Sequence, residues 1–236
     1  MENKVIILDF DGVIVDTEKM HFQASKEVLT SYRINLEWKL YKEKYLALDD
    51  KGLFKRVFKD FGRKLDRKIL RELCERKSAI YKKISNKDKK VRFYKGVKGF
   101  IKKAFSEGFI LAIASGANRS EVESVIKNNK LDKYFKEIVC AEDVKKGKPS
   151  PEPFLEILKR LGKSGYKIDK SDCTVIEDSI HGVRAAKNIG MRVIAVTNSY
   201  SREELKKCGA DLIVSSLCPT SKLLKYINSQ PLNLQP

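Results

Sequence analysis

Val5-Ile6-Ile7-Leu8-Asp9-Phe10-Asp11-Gly12 is the stretch that decides the fold. Its first four residues are all apolar and three are β-branched, so the segment has no polar face. That composition predicts a strand covered on both sides, as in the interior of a parallel sheet. The run stops on two aspartates and a glycine, so the carboxyl end of the strand opens into a polar turn. The same signal returns at residues 109–114, 137–140, 173–176, 192–196 and 211–214. Between these runs lie segments with apolar residues three and four apart, at 97–106, 120–128, 152–161, 181–188 and 202–207. Strand alternating with helix predicts an α/β fold built on a doubly wound parallel sheet.

Residues 18–91 break that rhythm. They hold no convincing strand and instead predict helices near 18–31, 37–47, 50–61 and 66–84, with breakers around Asn35, at Gly62 and at Ser85-Asn86. An all-helical block between the first strand and the rest predicts an inserted cap domain. The expected division is a core of residues 1–16 and 92–236 and a helical cap of residues 17–91. The last residues, 229–236, carry two prolines and no charge and are expected to fray.

Composition narrows the function classes. The 236 residues are 42% hydrophobic and 34% charged, too apolar for a disordered chain and too polar for a membrane protein. No apolar run approaches the roughly 18–20 residues that span a bilayer. Met1-Glu2-Asn3-Lys4 does not read as the start of a signal peptide. The five cysteines (Cys74, Cys140, Cys173, Cys208 and Cys218) are scattered and form no C-x-x-C, which argues against a disulfide scaffold or zinc site. A cytoplasmic protein is expected. The 49 Lys+Arg against 31 Asp+Glu leave a net charge of +18. These basic residues are spread through the chain, often beside Glu or Asp, which speaks against a nucleic-acid partner. They supply long-range attraction for an anionic substrate, weakened by salt.

Ligands of an open parallel sheet bind beyond the carboxyl ends of its strands, so the residues there carry the chemistry. Asp9 and Asp11 follow the first strand, and Ser115 and Gly116 follow the second. Lys148 lies in the loop beyond the third, and Glu177 and Asp178 follow the fourth. Carboxylates gathered at one edge repel one another unless a cation joins them. Oxygen ligands without His or Cys favour Mg²⁺, which bridges to phosphate. A serine hydroxyl, a glycine amide and a lysine ammonium are donors suited to phosphate oxygens, above all before a helix. A carboxylate can attack phosphorus to form an aspartyl phosphate. A second carboxylate two residues on reaches the same side and can move a proton to the leaving oxygen. The set describes a phosphoryl-transfer site.

Asp9-Phe10-Asp11-Gly12-Val13-Ile14-Val15-Asp16-Thr17, Ser115, Lys148 within Lys-Gly-Lys-Pro-Ser-Pro-Glu-Pro-Phe, and Val175-Ile176-Glu177-Asp178-Ser179 together resemble the haloacid dehalogenase-like superfamily. All four of its motifs stand in order, and the likeness covers nearly the whole chain. It is greatest to the branch with a helical cap after the first motif, which includes β-phosphoglucomutase and phosphoglycolate phosphatase. The resemblance implies a Rossmann-like core and a Mg²⁺ cofactor. It makes Asp9 the nucleophile and a metal ligand, and Asp11 the general acid/base whose backbone carbonyl also touches the metal. Ser115 and the Gly116 amide would hold the phosphoryl group, and Lys148 would neutralise it and orient Asp9. Asp178 would complete the metal site, with Glu177 binding directly or through water.

Asp11 also separates the chain from relatives that cleave carbon–halogen or carbon–phosphorus bonds, which lack an aspartate there. A halide leaves without a proton; a sugar alkoxide needs one. In the cap, the resemblance marks Thr17, His21 and Lys77 as substrate-side residues, with a merely structural histidine and a solvated lysine as the alternatives. Tyr45-Leu46-Ala47-Leu48-Asp49-Asp50 departs from the mutase pattern, in which an arginine grips a second phosphate. The expected activity is therefore a Mg²⁺-dependent phosphatase acting on a small phosphorylated metabolite, of the sugar-phosphate or phosphoglycolate type. The alternatives are a β-phosphoglucomutase-like phosphomutase and, from another class, a basic nucleic-acid-binding protein on an inactive hydrolase fold. The sequence leaves the oligomeric state open and favours a monomer.

Overall fold

In the computed structural model, which describes residues 4–46, 48–87 and 91–229, Val5–Leu8 forms the first strand, β1, with all four side chains buried. A two-residue strand β2 (Val15–Asp16) follows, then four helices: α1 (Glu18–Thr30), α2 (Trp38–Lys44), α3 (Asp50–Asp60) and α4 (Arg67–Lys87). After β3 (Arg92–Phe93) and α5 (Val97–Ser106) the chain alternates. The succession is β4 (Ile110–Ala114), α6 (Arg119–Asn128), β5 (Phe135–Val139), α7 (Glu152–Lys163), β6 (Cys173–Glu177), α8 (Ile180–Lys187), β7 (Arg192–Val196), α9 (Arg202–Lys207), β8 (Leu212–Val214) and α10 (Thr220–Asn228).

The main sheet has six strands in the order β5-β4-β1-β6-β7-β8, and every pairing in it is parallel. β2 and β3 pair in a sheet of their own. From β1 the chain builds outward through β4 to β5, then returns to the other flank of β1 and builds outward again. The strand order thus reverses beside β1, the place where open α/β sheets take ligands.

Both faces of β1 are covered, which is why it reads as an unbroken apolar run. Val5 and Ile7 join Ala112, Ala114, Val175, Val193 and Ala195, under Phe154, Ile157 and Leu161 of α7 and Val183 of α8. Ile6 and Leu8, of opposite parity, project to the other face and are equally buried. Each such side chain contributes roughly 1.5–3 kcal/mol by leaving water.

The chain divides into two compact units, Met1–Val15 with Phe93–Pro236, and Asp16–Arg92. The helical unit has a core of its own, in which Val28, Leu29, Tyr41, Phe54, Val57, Phe58 and Leu73 pack together.

Three differences from the sequence reading have local causes. α4 runs through Ser85 and Asn86 to Lys87. Ser85 Oγ donates to the Lys82 carbonyl at 3.2 Å, which lets a serine sit inside a helix instead of ending it. β5 begins at Phe135, two residues before the expected start, because it is an edge strand whose Lys136 and Glu137 interrupt the apolar run. α10 was not expected: its pattern is short, resting on Leu223, Leu224 and Ile227 after Pro219. The tail expected to fray falls, from residue 230 on, outside the described residues. None of the helices among the described residues is long and apolar enough to cross a membrane.

Candidate active site

The register brings the polar turns to one edge. Leu8 pairs with Ile113 on one side and Ile176 on the other, so Asp9, Ser115 and Asp178 each emerge just past a buried strand. The Asp9 amide donates to the Ile176 carbonyl at 2.9 Å, continuing the β1–β6 ladder one residue into the site.

Lys148 ties these strand ends together. Its Nζ donates to Asp9 Oδ1 at 2.7 Å, to the Ala114 carbonyl at 2.9 Å and to Glu177 Oε1 at 2.5 Å. Burial by itself would lower the lysine's pKa, but the carboxylates of Asp9 and Glu177 outweigh it and raise it, so the ammonium stays charged. Burial pushes the Asp9 carboxyl up to about 8; Lys148 opposes that rise, and the charges of Glu177 and Asp11 add to it.

Glu177 is fully buried and heavily used. Its Oε2 accepts from the amides of Asp178 and Ser179 at 3.0 Å each and from Ser179 Oγ at 2.9 Å. Ser179 in turn caps α8, its Oγ accepting from the Gly182 amide at 3.0 Å. Oxygen atoms of Asp9, Glu177 and Asp178 lie within 4.8 Å of one another, the one cluster of metal-ligating side chains among the described residues. Such a set, all carboxylate with no His or Cys, fits a small hard cation. The Asp11 side chain is outside this cluster. The carbonyl contact expected of Asp11 would come from its backbone, in the turn that Gly12 closes by donating to the Val15 carbonyl.

Ser115 is buried beside these groups, and its Oγ accepts from the Ala117 amide at 3.0 Å, shaping the turn that exposes Gly116 ahead of α6. The loop carrying Lys148 is clamped at its base. Glu152 Oε1 accepts from the Lys145 amide at 2.6 Å and its Oε2 from the Lys146 amide at 3.0 Å. Upstream, Asp143 Oδ2 accepts from the Cys140 amide and from Arg119, while Oδ1 accepts from Arg160. Burial works to raise the Asp143 pKa, but these donors outweigh it and hold the carboxyl below its usual range.

The structure thus joins Asp9, Lys148, Glu177 and Asp178 directly and sets Ser115 next to them through Ala114. A second group lies within the helical unit. Lys77, 4% exposed, donates from Nζ to His21 Nδ1 and to Asp50 Oδ1, each at 2.7 Å. An ammonium can only donate, so Nδ1 is the acceptor and the ring proton sits on Nε2. The His21 ring stacks on Tyr81, with centroids 4.4 Å apart. Thr17 is buried at the start of α1, where its carbonyl accepts from the amides of Met20 and His21. Of the Tyr45–Asp50 stretch, Ala47 lies outside the described residues. Asp49 caps α3 by accepting from the Gly52 amide at 2.7 Å, and Asp50 is spent on Lys77.

Sequence reasoning missed two kinds of residue. Asn198 and Ser199, just past β7, reach the site through Gly12 and Asp178; the strand-end rule extends to this fifth strand as well. The other kind is glycine. A Cβ on Gly182 would stand 1.8 Å from Glu177 Oε1. Gly→Ala inside a helix normally gains about 1 kcal/mol. Here the buried carboxylate cannot yield, and overpacking costs on the order of 1–3 kcal/mol. Gly182→Ala is therefore expected to lower the melting temperature, and a variant as stable as the parent would contradict this packing.

The family model of haloacid dehalogenase-like hydrolases matches residues 6–196. A phosphorylated carbohydrates phosphatase of Thermotoga maritima is 30% identical over 221 residues, covering 89% of this chain and 94% of that protein. A bifunctional riboflavin kinase/FMN phosphatase of Arabidopsis thaliana is 38% identical over 141 residues, which are 59% of this chain and 36% of that protein. The chain thus matches about a third of the plant enzyme's length. Among solved structures, a β-phosphoglucomutase of Clostridium difficile superposes with a TM-score of 0.81 at 21% identity, covering 96% of this chain and 97% of that one. That likeness is one of fold. The family match runs from within β1 to the last residue of β7, and so takes in every strand end that supplies the clustered side chains: the chain belongs to the haloacid dehalogenase-like hydrolases.

Proposed function

We propose that this protein is a Mg²⁺-dependent phosphatase that hydrolyses a small phosphorylated metabolite, a phosphorylated carbohydrate by preference, through an aspartyl-phosphate intermediate. The observation that carries the reading is the Lys148 ammonium held between Asp9 and Glu177, with Asp178 in the same carboxylate cluster. The family and its phosphatase-named relatives support a phosphoric monoester hydrolase.

In this reading Ser115, the Gly116 amide and Lys148 take the phosphoryl oxygens. The Asp9 carboxylate attacks phosphorus, forming its bond as the ester oxygen leaves. Asp11 gives the departing oxygen a proton, then takes one from the water that attacks the aspartyl phosphate, releasing phosphate and restoring Asp9. Bound by Asp9, Asp178 and the Asp11 carbonyl, with Glu177 direct or through water, Mg²⁺ would offset the negative charge gathered there. Residues 1–16 and 92–236 form the catalytic core, and residues 17–91 form the cap that selects the substrate. Thr17, His21 and Lys77 are its substrate-side residues. Their support is that Lys77 is held in place by His21 and Asp50 rather than left as a solvated side chain.

Phosphatase is favoured over mutase because Asp50 neutralises Lys77 on the stretch where a mutase carries an arginine for a second phosphate. The test is phosphate release from a panel of phosphorylated metabolites. Activity is expected to vanish with chelator and to return with Mg²⁺, while Ca²⁺ substitutes poorly because it prefers looser, higher coordination. Isomerised product without free phosphate, from a sugar 1-phosphate and a trace of bisphosphate, would make it a mutase. No turnover of any ester, together with a salt-sensitive shift of nucleic acid, would make it neither.

A further inference from the structure

We propose that Asn198 and Ser199, in the loop after β7, are positioning residues for a divalent cation bound at Asp178; the inference rests on the metal reading above. Three strand ends meet here. Asn198 Nδ2 donates to the Gly12 carbonyl at 2.7 Å, tying the β7 loop to the turn after β1. Ser199 Oγ donates to Asp178 Oδ2, tying the same loop to the end of β6. The turn and the carboxylate also touch each other. Gly12 has φ +83°, and a Cβ there would stand 1.9 Å from Asp178 Oδ2 and 2.4 Å from its Cγ. The Asp178 carboxylate is therefore pressed against the Gly12 backbone on one side and hydrogen-bonded by Ser199, while Asn198 fixes the backbone it rests on. The loop itself is anchored, since the Thr197 amide donates to the Val214 carbonyl at 3.0 Å.

Asp178 is 3% exposed, so the hold on its carboxylate comes from protein rather than from bulk water. A carboxylate whose orientation is set beforehand binds a cation without first losing rotamer freedom, and partners of this kind are worth about 10–100-fold in metal affinity. Neither residue needs to touch substrate.

The test is calorimetric titration of Mg²⁺ into the full-length protein freed of metal by chelation. Ser199→Ala and Asn198→Ala are each expected to weaken Mg²⁺ binding by about 10–100-fold. Ser199→Thr, which keeps the hydroxyl, should recover most of the loss. In turnover assays the activating Mg²⁺ concentration should rise by the same factor, with kcat approaching the parent value at high Mg²⁺. Melting in chelator shows whether each variant folds; should Ser199→Ala fail to fold, Asn198→Ala carries the same measurement. Unchanged Mg²⁺ affinity in folded variants overturns the inference and leaves the phosphatase reading standing. A parent protein that takes up no Mg²⁺ overturns both.

Discussion

Asp9→Asn is expected to abolish turnover while the protein still folds. An amide cannot attack phosphorus to give a stable acyl phosphate, and loss of a covalent nucleophile costs on the order of 10⁴-fold or more in kcat. Folding should survive because the substitution is nearly isosteric and removes a charge that burial disfavours. That same burial pushes the Asp9 carboxyl up to about 8. Lys148 keeps Glu177 as a partner, so no lone cation is left behind. Asp11→Asn separates the two carboxylates by role: it should retain the nucleophile and lose roughly 10²–10⁴-fold, the usual worth of general acid/base catalysis. The measurement is steady-state phosphate release, with acid-quench trapping of a phosphorylated enzyme from labelled substrate. Parent protein should carry label at Asp9, and Asp9→Asn none. Residual turnover of Asp9→Asn above about one per cent of the parent's, with the nucleophile gone, would remove Asp9 from the role.

Lys148→Ala is expected to be the most damaging of these changes to stability. Lys148 and Asp9 have side chains 12% exposed and Glu177 none, so solvent screens this trio poorly. Removing the cation strands the buried Glu177 carboxylate beside an Asp9 carboxyl that burial already pushes up. Breaking a buried ion pair from one side costs about 3–5 kcal/mol. For a chain of this size each kcal/mol moves the melting temperature by roughly 2–4 °C, so a fall of roughly 6–20 °C is expected in metal-free protein. The double variant Lys148→Ala/Glu177→Gln should recover part of that loss, because the stranded Glu177 charge is gone. A metal-free Lys148→Ala variant melting within about 2 °C of the parent would mean that the ion pairs are too well hydrated to matter, as exposed pairs are.

These two expectations rest on different layers of the protein. The placement of Asp9 was legible from sequence because β1 is buried on both faces. A strand that must be apolar at every position announces its end as soon as an aspartate appears. The same logic located Ser115 past β4 and Glu177-Asp178 at the end of β6, and the regular alternation of strand and helix implied that these ends share an edge. The helical insertion was legible for the opposite reason, since residues 18–91 show three-and-four spacing where the remainder alternates between two periods. Legibility failed where a signal was short or ambiguous, as with the two-residue strands β2 and β3, the nine residues of α10 and the serine inside α4.

Residue type and order along the chain therefore determined the fold class, the carboxylates and the lysine, because apolar periodicity and hard-ligand chemistry are properties of composition at fixed spacing. Distances between segments far apart in sequence are not. Lys148 lies 139 positions from Asp9 and 29 from Glu177, and no local pattern says that one ammonium bridges both. Only the packed sheet decided that bridge. It also decided the clasp of Asn198 and Ser199 on Gly12 and Asp178, and the need for bare Cα atoms at Gly12 and Gly182. Each depends on which backbone is pressed against which carboxylate, and that is set by how parallel strands register and how helices cover them.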